Sequence, residues 1–142
     1  MPTDNQTDYI LCECPLDNLR QLTDQLLTHY QPTLVKTPGI CLTMIRAEDS
    51  VEKQEFYLGE ALTTDCEVVI NGHIGYGICL GDEPDRAYCM AVVEAALAQD
   101  DAQTTLIQDF LTAQATIIRQ AEESEFAHIM RTKVDFKLME QA

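Results

Sequence analysis

The chain has 142 residues and carries nine Lys and Arg against 24 Asp and Glu, a formal charge of −15. The acid excess is even: four basic against twelve acidic residues in 1–71, and five against twelve in 72–142. Such a surface repels phosphate backbones and anionic lipid heads, which excludes a nucleic-acid or membrane-surface module, and 46% hydrophobic content excludes a disordered chain.

No apolar run approaches the ~18–20 residues that span a bilayer. The start, Met1 through Asp8, has neither the basic nor the apolar region of a signal peptide. One cytoplasmic domain covering residues 1–142 is the expectation, with 1–8 a disordered polar lead. Six cysteines (Cys12, Cys14, Cys41, Cys66, Cys79 and Cys89) are then expected as free, structural thiols. A reducing compartment keeps them so, and four sit in apolar stretches where Cys behaves as a small hydrophobe.

Leu16, Leu19, Leu22, Leu26 and Leu27 recur every three or four residues and predict an amphipathic helix, ended by Pro32. A short extended piece around Leu34 and Val35 precedes a turn at Pro38-Gly39. Ile40–Arg46 and Phe56–Gly59 read as strands on either side of a charged loop. Cys66–Ile70, then Asn71-Gly72, then His73–Leu80 predict a hairpin closed by a type I′ turn. In its second strand Ile74, Tyr76, Ile78 and Leu80 share one face and are expected to point into the core. Gly75, Gly77 and Cys79 share the other, which a neighbour can approach closely.

Asp82-Glu83-Pro84 is a helix start, followed by Met90, Val93 and Leu97 at helical spacing. Leu106, Ile107, Phe110, Leu111, Ile117 and Ile118 form the stripe of a second helix, after Asp100 and Asp101. Arg131 to Met139 is the only locally basic stretch. The predicted fold is α+β: an N-terminal helix, an antiparallel β-meander of about four strands, then two to three C-terminal helices.

Few residues carry chemistry. Cys12 and Cys14 would point the same way on a strand, but two soft ligands without a second pair make no zinc or cluster site. The glycines 72, 75, 77 and 81 match no phosphate-binding loop. His73, beyond the hairpin turn, is placed to reach solvent as a general base, with Tyr57 or Glu60 as companions. No self-sufficient active site, metal or cofactor is expected, which favours a binding or scaffold subunit.

Three stretches together resemble one family. Phe56-Tyr57-Leu58-Gly59-Glu60-Ala61-Leu62-Thr63-Thr64 is similar to its aromatic–aromatic–x–Gly–acid–x–x–x–Thr segment. Gly72 through Gly81, running into a helix through Ala87, Ala91 and Ala95, is similar to its Gly–Tyr–x–x–x–Leu–Gly block. Thr132-Lys133-Val134-Asp135-Phe136-Lys137-Leu138-Met139 is similar to its basic–Val–Asp–Phe–x–x–Met ending. The family is the G subunit of the bacterial carbon–phosphorus lyase core complex (PhnG), and the resemblance covers the chain from about Tyr9 onward.

The resemblance implies an accessory subunit of a cytoplasmic transferase complex, ribose 1-methylphosphonate 5-triphosphate synthase, with H-, I- and J-type partners. In that scheme a phosphonate displaces adenine from ATP, giving ribose 1-phosphonate 5-triphosphate. The I subunit carries the nucleosidase activity, and the G subunit is required without catalytic residues of its own. Lys133, Asp135, Phe136 and Met139 are then candidate docking residues on the I subunit, and Gly75 and Gly77 a second candidate contact. Two alternatives stand beside it: a small stand-alone enzyme acting through His73, and an acidic scaffold self-associating through the Leu106–Ile118 helix. An isolated G-type subunit is also expected to form a homo-oligomer through its uncovered apolar surface.

Overall fold

A computed structural model describes the backbone of residues 4–141 and the side chains of residues 6–131. The order is α1 (Asp4–Glu13), α2 (Leu16–Leu27), β1 (Thr33–Glu48), β2 (Glu55–Ile70), β3 (His73–Leu80), α3 (Pro84–Leu97) and α4 (Ala102–Gln141). The three strands form one antiparallel sheet in the order β1-β2-β3, with α3 on one face. The class is the expected α+β, with three long strands in place of about four.

The count differs because segments read as separate strands are continuous, one of them through a bulge. Pro38-Gly39, read as a turn, lies inside β1. There Lys36 pairs with Glu67 and Gly39 with Asp65, so β1 absorbs one extra residue without leaving the ladder. Proline has no N–H to give a partner, and a bulge on an edge strand needs none. The predicted strands at 56–59 and 66–70 run together as β2 through an unbroken ladder from Gly59 to Asp65, and the one extra residue, Leu58, lies within the first of them, between Gly59↔Ile45 and Tyr57↔Arg46.

The Asn71-Gly72 turn has φ of 48° and 82°, with Ile70 opposite His73, as a type I′ hairpin requires. The sides of β3 are the reverse of those expected. Gly75, Gly77 and Cys79 are buried, while Ile74, Tyr76 and Leu80 are 63%, 38% and 70% exposed. The glycines allow α3 to lie directly on the backbone of β3. A Cβ on Gly75 would stand 2.0 Å from the Ala91 carbonyl oxygen, and one on Gly77 would stand 2.2 Å from that of Ala87. Only residues without a Cβ allow the helix this close, so the small residues take the side that α3 covers.

α3 starts as predicted, with Glu83 at its N-cap and Pro84 in the first turn. Nearly all of its surface is buried, including Ala87, Ala91, Val92, Val93 and Ala95, since the sheet covers one side and α1, α2 and α4 the other. α2 buries Leu19, Leu22 and Leu26, as its spacing implies.

Residues 4–8 of the expected polar lead form the start of α1, which carries Cys12 on a helix rather than a strand. Ile10 and Leu11 anchor it in the core. Buried Arg86 donates from Nη1 to the carbonyls of Leu11 at 2.8 Å and Cys14 at 2.9 Å, supplying the donors that a helix C-terminus lacks.

α4 uses Ile107, Leu111 and Gln114 to close the core. The stripe proposed for self-association is therefore partly internal. Beyond it Phe126 and Ile129 are exposed on the same continuous helix. Asp101 precedes α4, accepts from the Gln103 N–H at 2.9 Å, and takes the Tyr30 hydroxyl as a donor. Burial and that carboxylate push the Tyr30 phenol up to about 12.

Candidate functional site

The residues singled out for chemistry do not converge. His73 is exposed beside Gln99, whose Nε2 lies 3.4 Å from its Nδ1. It pairs with Ile70 at one end of β2, whereas Glu60 is ten residues back along that strand, roughly 33 Å away at the rise of a β-strand. Tyr57 is farther still, with its ring under the Arg46 guanidinium at 5.3 Å. His73, Tyr57 and Glu60 cannot serve one reacting centre in this fold.

The thiols offer no nucleophile in the core. Cys14, Cys66, Cys79 and Cys89 are buried, and burial pushes each thiol up, Cys79 to about 11. Cys12 is half-buried, also raised by burial, and donates to the Ile78 carbonyl on the free edge of β3. Among the described residues no three His, Cys, Asp or Glu side chains converge as a metal site.

On the face of the sheet opposite α3, Lys36, Asp65 and Tyr76 form a polar centre that sequence reasoning missed. Asp65 is buried, with Lys36 Nζ 2.6 Å and Tyr76 Oη 3.1 Å from its Oδ2; its Oδ1 is buried without a partner. Beside it, Thr63 Oγ1 lies 2.8 Å from Thr43 Oγ1 and 3.1 Å from Cys41 Sγ. The register explains the grouping: Lys36, Glu67 and Tyr76 stand in one cross-strand row, and Asp65 is one pleat along on the same side.

The Lys36 ammonium, by its hydrogen bond, holds the Asp65 carboxyl below its ordinary value. A group lowered on folding stabilises fully above its unfolded value, about 3.9 for Asp, and loses that contribution as pH falls through the lower folded value. Lys36→Met is therefore expected to shift acid unfolding to higher pH. An unchanged acid midpoint by circular dichroism would show that the pair does not couple to folding.

The docking candidates separate as well. Gly75 and Gly77 are sealed under α3, so their close neighbour is this chain's own helix. Lys133, Asp135, Phe136 and Met139 lie outside the described side chains.

Among the described residues, an uncovered apolar surface lies on a two-stranded ribbon. β3 pairs with β2 only from Thr63 to Ile70, so residues 42–48 and 55–62 project past it as two strands alone, with Ile40 at the root of the projection. Ile40, Leu42, Met44 and Leu62 lie on the α3 side and are 55%, 65%, 53% and 45% exposed. Ile45 and Phe56, on the reverse side, are exposed too. The sequence held a signal for this: an apolar run with no polar alternation is the pattern of a strand buried on both faces. The described residues supply a layer for neither face here.

No helix among the described residues is long and apolar enough to cross a membrane. No curated protein sequence matches the chain. The family profile described as phosphonate metabolism protein PhnG matches residues 5–141, nearly the full length. The α+β order and the chain-long match agree with the three resembling segments, and the chain belongs to the PhnG family, whose role is in phosphonate metabolism.

Proposed function

We propose that this chain is a non-catalytic accessory subunit of the complex that joins ATP and a phosphonate into ribose 1-phosphonate 5-triphosphate with release of adenine. Its partners are the I-, H- and J-type subunits, and its place is the cytoplasm. The observation that carries the reading is the family match over residues 5–141. The fold is compatible in two respects: His73, Tyr57 and Glu60 are too far apart to act together, and an apolar ribbon stands uncovered. A subunit hides such a surface in its assembly, whereas a monomeric enzyme exposing it would aggregate.

In this scheme a phosphonate oxygen forms the bond to C1′ of the ribose as the bond to adenine breaks, and the base leaves with its electron pair and takes up a proton. Water attacking at the same carbon gives adenine and ribose 5-triphosphate instead. The chain's contribution is to favour the phosphonate over water. The test is to mix I-, H- and J-type subunits, ATP and methylphosphonate with and without this chain and follow phosphorus resonances. The expected result is adenine release in both samples, with the phosphonate ester formed only when the chain is present. Equal ester yield in the two samples would overturn the reading.

A further inference from the structure

The ribbon is the least self-sufficient part of the molecule. A two-stranded hairpin without a third strand or a covering helix is marginal in water, yet this one extends over residues 42–48 and 55–62. Its apolar side chains occupy both faces and reach Val51 in the tip, 86% exposed. The stripe on the α3 side is the same sheet face that α3 covers farther along, since Ile40 pairs with buried Thr64 and Leu42 with Leu62. It is core surface continued past the end of its cover. The long helix α4 packs on α1, α2 and α3, and among the described residues the ribbon's apolar side chains stay exposed.

Charge decides what kind of molecule completes it. Residues 40–62 carry Glu48, Asp49, Glu52, Glu55 and Glu60 against Arg46 and Lys53, within a chain of net charge −15. A second copy would bring acid rim to acid rim, and like charges at an interface margin oppose association. A cleft with an apolar floor and Lys or Arg at its mouth meets both the stripe and the rim.

We propose that the β1–β2 ribbon is an arm that inserts into an apolar, basic-rimmed cleft of a different protein chain. The cleft wall on the α3 side extends the helical layer beyond α3, and the reverse wall covers Ile45 and Phe56. This rests on the subunit reading above and locates its contact in the ribbon rather than in the tail.

The test is co-expression of the full chain with I-, H- and J-type subunits, followed by size exclusion and an affinity titration at 0.1 and 0.5 M NaCl. Leu42→Asp is expected to weaken association at least tenfold while the isolated chain keeps its circular dichroism and thermal midpoint, because position 42 is exposed. If Leu42→Asp disturbs folding, a shortened arm answers instead: residues 45–59 replaced by Asn-Gly, closing on the existing Met44↔Glu60 pair.

Wild-type binding is expected to weaken at the higher salt, since a charged rim is screened there. A wild-type complex that the Leu42→Asp chain forms equally well overturns the ribbon as the contact and leaves the subunit reading standing. Salt-independent affinity overturns the basic rim. A homodimer that Leu42→Asp dissolves overturns the choice of a different chain. Failure of the wild-type chain to join any of the three subunits overturns the subunit reading and the arm with it.

Discussion

Gly75→Ala is expected to destabilise the protein by about 3 kcal/mol or more, at the upper end of overpacking costs. The added methyl would meet the Ala91 carbonyl oxygen at 2.0 Å, the Ala95 nitrogen at 2.6 Å and the Ala95 Cβ at 2.7 Å. Two of these are backbone atoms in the middle of α3, so no side chain can rotate away. Relief requires the helix to lift off the sheet, which uncovers Val68, Ile70 and Val92, all fully buried. Gly77→Val should be at least as severe, with the Ala87 oxygen at 2.2 Å and the Ala91 nitrogen at 2.7 Å.

The control is Gly39→Ala, whose methyl would find only the Thr37 oxygen, at 3.7 Å. It should change stability by no more than about 0.5 kcal/mol. Urea unfolding midpoints of the three variants measure this. A Gly75→Ala midpoint equal to that of Gly39→Ala would mean that α3 does not approach β3 this closely.

The second large effect is expected at Arg86. Its guanidinium is buried, donates to the carbonyls of Leu11 and Cys14, and lies 3.4 Å from Glu83 Oε1. Arg86→Met preserves much of the apolar stem but leaves the Cys14 carbonyl without its guanidinium donor and the Leu11 carbonyl with only the weak Cys14 thiol at 3.7 Å. Unsatisfied buried acceptors cost about 1–3 kcal/mol each, so a loss of about 3 kcal/mol is expected. The loss should be local before it is global: amide hydrogens of residues 8–13 should exchange faster while those of α3 stay protected. Uniform exchange across both helices would show that Arg86 supports the whole core rather than docking α1. Lys at this position keeps a charge and donors and should restore part of the protection, without the planar fork that serves two carbonyls from one nitrogen.

These two sites show how local spacing and tertiary placement divide the information. α2 was legible because Leu19, Leu22 and Leu26 repeat at the period of a helix and are the residues it buries. The turn at Asn71-Gly72 was legible because the left-handed backbone it needs is carried by those residue types, with φ of 48° and 82°. α1 was not legible: Ile10, Leu11 and Cys14 make only one turn of stripe behind polar residues. The helix depends on Arg86, 72 residues beyond Cys14. Among the site residues, the glycine pattern at 75 and 77 announced a close approach and left open what approaches. That neighbour is Ala87, Ala91 and Ala95 of α3, whose small side chains already stood in the sequence at matching spacing.

By itself, the sequence determined the order of the main elements, the hairpin turn, the start of α3, and three motif blocks specific enough to indicate the family. These rest on interactions between residues close in the chain, or on residue types with narrow backbone preferences. Only the tertiary structure decided which side of β3 faces the core, that Pro38-Gly39 is a bulge within one strand, and that His73 stands far from Tyr57 and Glu60. It also decided that the apolar run at 40–45 is left exposed by the described residues. Each of these depends on which element lies across a face, and alternation along a strand is blind to that: it separates two sides without naming the one that is buried.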